Sequence, residues 1–153
     1  MVADLQRLQV KFYLEDEASL SPQEAFRVFS EWIPASKDEI LIDVADYTHI
    51  EWGPQTVLIG HDANYTLDNT DGRMGVVYAQ KSRGNGDASD RLRGAFGQAL
   101  KACRRLEEHR DLKGRVRFCG SETVLVVNDR LRAPNTETTL GELRADLDAF
   151  LVV

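Results

Sequence analysis

Residues 87–112 read DASDRLRGAFGQALKACRRLEEHRDL, and the spacing within them decides what the rest of the chain must build. Leu92, Phe96, Ala99, Cys103 and Leu106 recur at steps of four and three, which places them on one stripe of an α-helix. Ala95 and Ala102 widen the stripe. Asp87 or Ser89 is placed to accept from the free N–H groups of the first turn, and Asp90 suits the positive end of the helix dipole. His109, Arg110 and Lys113 gather at the other end, and Gly114 supplies a permissive stop. Such a stripe must be covered by a sheet or a second helix, so this element locates the core.

Working outward, residues 8–14 alternate apolar and polar side chains with period two, which predicts a strand with one buried face. Ser21, Pro22 and Glu24 form a capping-box start for a helix that buries Ala25, Phe29, Trp32 and Ile33 and ends at Pro34. Residues 39–46, EILIDVAD, are apolar at Ile40, Leu41, Ile42 and Val44. That pattern predicts an interior strand, beside and parallel to the first. Residues 56–60 continue past a bulge at Gly60 and His61 into residues 63–67, and Asn69-Thr70-Asp71-Gly72 is a turn leading to a strand over 74–80. Beyond Gly114, residues 115–119 and 123–127 predict a hairpin around Gly120-Ser121-Glu122. Thr139 and Glu142 have capping-box spacing, and Leu140, Leu143, Leu147 and Phe150 mark a last amphipathic helix.

The order is therefore β-α-β-β-β-α-β-β-α, in a single domain spanning residues 1–153. It predicts an α+β fold, a mostly antiparallel sheet of five or six strands with helices on one face. With 42% hydrophobic and 29% charged residues the composition is that of a globular protein. No apolar run reaches the length of a membrane span, and MVADLQRLQVKF lacks the features of a secretion signal. Two widely spaced cysteines, Cys103 and Cys119, read as reduced thiols, and a cytoplasmic location is the expectation.

The net charge of −6 conceals an asymmetry: residues 1–80 carry −9, whereas residues 91–117 carry +6. The basic segment has the charge to follow a phosphate backbone. A sequence pI near 5.1 argues against nucleic acid, as does the lack of an aromatic RNA-binding strand or helix-turn-helix spacing. Pairing with the chain's own acidic half accounts for the same residues.

Reactive side chains concentrate in residues 43–65. A catalytic set of His49, His61, Asp62 and Asp46 would follow if the strands around them brought the two imidazoles together. Such a set could perform acid–base chemistry or, with an open position, support a divalent metal. Tyr47, Trp52, Asn64 and Tyr65 are the accompanying ligand-contact candidates. No nucleophile elbow or named metal motif occurs, no cofactor is expected, and no metal is assigned. The leading expectation is a protein that acts by binding or self-association without catalysis of its own. A homodimer is expected to cover a surplus of aromatic side chains and the apolar end Phe150-Leu151-Val152-Val153.

Overall fold

The computed structural model describes residues 5–152. The elements run β1 (Leu8–Leu14), α1 (Pro22–Ala35), β2 (Leu41–Asp46), β3 (Pro54–Gly60), β4 (Ala63–Asp68), β5 (Gly75–Gln80), α2 (Ala88–Glu108), β6 (Phe118–Val127) and α3 (Glu137–Leu151). The strands make one antiparallel sheet in the order β2-β3-β4-β5-β1-β6. The fold is α+β, with the helices on one face of the sheet.

Local chemistry explains the helix starts. Ser21 accepts from the Glu24 N–H while the Glu24 carboxylate returns to the Ser21 N–H, and Asp87 and Asp90 repeat the reciprocal pair at α2. Helix α3 starts three residues earlier than the Thr139–Glu142 spacing suggests, because the Thr136 hydroxyl accepts from the Thr139 N–H. Helix α2 buries Leu92, Ala95, Ala99, Ala102, Cys103 and Leu106. Leu8, Val10, Phe12 and Leu14 alternate toward it from β1 and are all buried. Trp32 of α1 lies 5.2 Å from the Phe29 ring and 6.1 Å from Tyr65, under the Arg105 guanidinium at 4.1 Å. Of the aromatics expected to demand an external partner, Trp32, Tyr65 and Tyr78 are thus taken into the core, whereas Tyr47 and Trp52 are exposed.

Three local expectations are corrected. Strand β2 is not interior or parallel to β1: it is an edge strand paired antiparallel with β3, and Ile40 and Ile42 are exposed. Residues 54–68 do not form one bulged strand but a β3–β4 hairpin that reverses at His61 and Asp62. Gly60 permits that reversal, since a Cβ there would collide with the Ala63 carbonyl. Residues 115–127 make no hairpin. Phe118 pairs with Leu14 and Thr123 with Phe12, so the four residues from Cys119 to Glu122 bulge out opposite Tyr13 alone.

Edge strand β2 is blunted by its own side chain. Tyr47 N–H donates to the Gln55 carbonyl, so by antiparallel alternation the Val44 N–H points away from β3. The Asp43 carboxylate accepts that N–H at 2.8 Å, occupying a group that would otherwise template another strand.

Helix α3 has no fully buried residue. It is held by half-buried Leu143, Leu147 and Phe150, with Phe150 stacked on Phe96 at 5.2 Å. The apolar chain end is therefore partly docked on its own domain, while Leu151 and Val152 are exposed; Val153 lies outside the described residues.

Candidate functional site

The two histidines proposed to converge are held apart by β3. Asp46 pairs with Thr56 near the start of β3, so Asp46, Tyr47, His49 and Trp52 belong to the β2–β3 connection. His61 and Asp62 form the turn at the opposite end. Seven strand residues at about 3.3 Å each put roughly 20 Å between the two groups.

Each group has its own local bonding. Asp46 accepts from the Thr48 hydroxyl at 2.7 Å and the Thr48 N–H at 2.8 Å, and these bonds hold its carboxyl below the usual range. The Tyr47 and His49 rings lie 6.2 Å apart, and Trp52 is exposed. His61 and Asp62 approach only to 4.0 Å, both in solvent. The Asn64 side chain accepts from the Gly60 N–H at 3.3 Å, closing the turn. Tyr65 is a core residue whose hydroxyl donates to Glu39 at 2.9 Å; burial and that carboxylate push its ionisation well up.

The basic segment meets the acidic half of its own chain. Lys101 reaches Asp38 at 2.8 Å, Arg115 reaches Glu24 at 2.7 Å, and Arg110 reaches Glu31 at 3.3 Å. Arg104 pairs with Glu108 one turn away at 3.1 Å. Most of the side chains that suggested a phosphate-tracking face therefore have protein partners.

Among the described residues, Glu31, His109 and Asp111 form one cluster of metal-binding composition, with ligand atoms within 4.8 Å of one another. The hydrogen bonds oppose a metal there. His109 Nδ1 accepts from the Asp111 N–H at 3.2 Å, which leaves the ring proton on Nε2, donated to Glu31 at 2.8 Å. Arg110 and Arg27 take up the carboxylates of Glu31 and Asp111. The cluster is an α1–α2 clamp.

Comparison with protein-family models, with curated proteins and with solved structures gives no match.

A feature that sequence reading missed lies on the sheet face that carries no helix among the described residues. Register aligns Ala45, Val57, Thr66, Val77, Lys11 and Val124 in one row across all six strands. The neighbouring row runs Asp43, Ile59, Asn64, Ala79, Gln9 and Val126. At the centre the sheet forms an open groove of about 440 Å³, walled by Val77, Ala79, Val124, Val126 and Thr66. Lys11 closes one end. Its ammonium donates to Asp68 at 3.0 Å, Asp71 at 2.6 Å and the Arg73 carbonyl at 2.8 Å, which uses all three hydrogens.

Around Lys11, Tyr13 donates to Asp71 at 2.5 Å and lies under the Arg73 guanidinium at 3.7 Å. Arg73 also pairs with Glu122 of the β6 bulge at 3.0 Å. The bond to Asp71, with partial burial, pushes the Tyr13 hydroxyl up to about 12. Burial acts to raise Asp71, but hydrogen bonds from Lys11 and Tyr13 outweigh it and hold the carboxyl at about 2. In sequence Lys11 is an ordinary polar position of an alternating strand. Its partners lie 57 and 60 residues away, so no local spacing announces them.

Both cysteines are free thiols. Burial, with Glu107 nearby, pushes Cys103 up to about 12, away from reactive thiolate chemistry. No helix among the described residues is long and apolar enough to cross a membrane.

Proposed function

We propose that this protein acts by association rather than by catalysis, and that its bare sheet face joins it to a second copy of itself. One observation carries the reading: among the described residues every helix lies on one side of the sheet, so Val57, Ile59, Val77, Ala79, Val124 and Val126 face away from the core with no helix over them.

The occupant follows from charge and size. The ion at the end of the groove, Lys11, is neutralised within the chain, so the apolar patch of Val57, Val77, Ala79, Val124 and Val126 needs no counter-charge there and is complementary to itself. Six strands about 4.8 Å apart, each with roughly six residues at about 3.3 Å, give a face near 24 by 20 Å. Two such faces bury about 1,000 Å² in total, the lower bound for a specific interface. The separation of His49 from His61 and the saturated hydrogen bonding of Lys11 support association over the catalytic alternative.

Sedimentation equilibrium at micromolar protein tests the proposal. A mass twice the 17.2 kDa of one chain is expected, reverting to one chain on Val77→Glu or Val124→Lys. A single-chain mass for the native protein refutes it. A dimer that survives both substitutions moves the interface elsewhere and refutes the sheet-face assignment.

A further inference from the structure

A second surface differs from the sheet face in both shape and charge. Edge strand β2, the residue before it and the 47–53 connection expose Ile40, Ile42, Tyr47, Ile50 and Trp52. Trp52 is 60% exposed and Ile40 66%, values far from those of packed side chains. Interleaved with them are Asp43, Asp46 and Glu51, all exposed.

Some acids of the chain are neutralised by its own cations and others are not. Asp38, Asp68, Asp71, Asp111, Asp129, Glu24, Glu31, Glu108 and Glu122 each lie within 4.0 Å of a Lys or Arg. Among the described residues Asp43, Asp46 and Glu51 have no such partner; Asp43 and Asp46 accept only local hydrogen bonds. The stretch 39–52 contains four acids and neither Lys nor Arg. Exposed apolar side chains standing between unneutralised carboxylates repel an acidic partner and an anionic lipid surface alike. They suit a surface that supplies both positive charge and apolar area.

We infer that the β2 edge and the 47–53 connection dock a protein segment carrying Lys or Arg interspersed with aliphatic or aromatic side chains. Docking proceeds through side chains rather than strand addition, because Asp43 already occupies the outward Val44 N–H. Trp52 and Tyr47 supply the aromatic anchors, which lose little conformational freedom on being covered. Asp46 and Glu51 select the sign of the partner and speed its approach. The inference does not rest on the dimer, since Tyr47, Trp52, Asp46 and Glu51 lie outside the sheet-face rows proposed to pair.

Trp52 provides its own reporter, because Trp32, the other tryptophan, is buried. The full-length protein is titrated with three synthetic peptides: one alternating Lys and Arg with Leu and Ile, its Asp/Glu counterpart, and an oligolysine without apolar residues. Only the first is expected to shift Trp52 emission to shorter wavelength. Measured by calorimetry, its affinity falls at least about tenfold with Asp46→Lys/Glu51→Lys and again with Trp52→Ala. Val124→Lys on the sheet face leaves it unchanged. The inference is overturned if no peptide shifts the emission, if the acidic peptide binds as well, or if the charge-reversed variant binds undiminished. An emission shift with phosphatidylcholine vesicles but not with the basic–apolar peptide also overturns it and assigns the edge to a lipid surface.

Discussion

Lys11 Nζ lies 3.0 Å from Asp68 Oδ2, joining β1 to the end of β4 across a strand that separates them in the sheet. Both side chains are largely withdrawn from solvent. The same ammonium holds Asp71 and the Arg73 carbonyl, so one cation fixes the 69–72 turn against the first strand.

Lys11→Met is expected to cost about 3 kcal/mol, because it leaves Asp68 charged, withdrawn from water and deprived of its cation. Adding Asp68→Leu should recover part of that loss, since a desolvated pair replaced by apolar groups forfeits less than a broken one. Urea denaturation of the two variants and the native protein measures the difference. An unchanged midpoint for Lys11→Met contradicts the clamp.

The pH dependence has two limbs. Asp71 is held at about 2, below its ordinary 3.8, so its contribution is complete above about pH 4 and is lost as pH falls through 2. Tyr13 is raised from 10.0 to about 12, so its contribution is complete below about pH 10 and disappears as pH rises through 12. Asp71→Asn should remove the acid contribution and bring the Tyr13 titration, followed by tyrosinate absorbance, back toward that of a free phenol.

Phe96→Ala should destabilise by about 2–3 kcal/mol, below the figure for a wholly buried phenylalanine, because its ring is half-buried between Phe12 and Phe150. Phe150→Ala should cost less and loosen α3 first. Hydrogen exchange of the α3 amides, compared with those of α2, separates the two effects.

Asp43→Ala should change stability by no more than about 0.5 kcal/mol while freeing the outward Val44 N–H. The edge beside exposed Ile42 then becomes available for pairing. Light scattering against concentration should show faster aggregation than the native protein; equal rates refute the blocking role.

Part of the fold was legible locally. Helix phase in α2, the Ser21–Glu24 capping box and the alternation of β1 are short-range properties: the 3.6-residue period, the reach of a side chain to its own N-cap, and the two-residue pleat. The α+β class followed, because amphipathic helices and half-buried strands can be satisfied only by stacking one layer on the other. The break of the chain at His61 was less legible, since Gly60 serves a bulge or a reversal equally well until the Ala63 carbonyl is in place.

The candidate site shows the same division. Sequence alone located the densest polar and aromatic stretch, residues 43–65, and offered Tyr47, Trp52, Asn64 and Tyr65 as candidate contact residues. It also supplied the charge asymmetry, and with it the expectation that basic α2 meets the acidic half of the chain. Only the tertiary structure decided that Tyr65 fills the core while Trp52 remains in solvent, and that His49 and His61 stand at opposite ends of β3. Strand order decided which sheet face is bare, and the register across all six strands decided that Lys11 meets Asp68 and Asp71. The physical reason is range: turn, cap and periodicity energies are set by residues within a few positions, whereas pairing across 57 residues depends on which strands become neighbours.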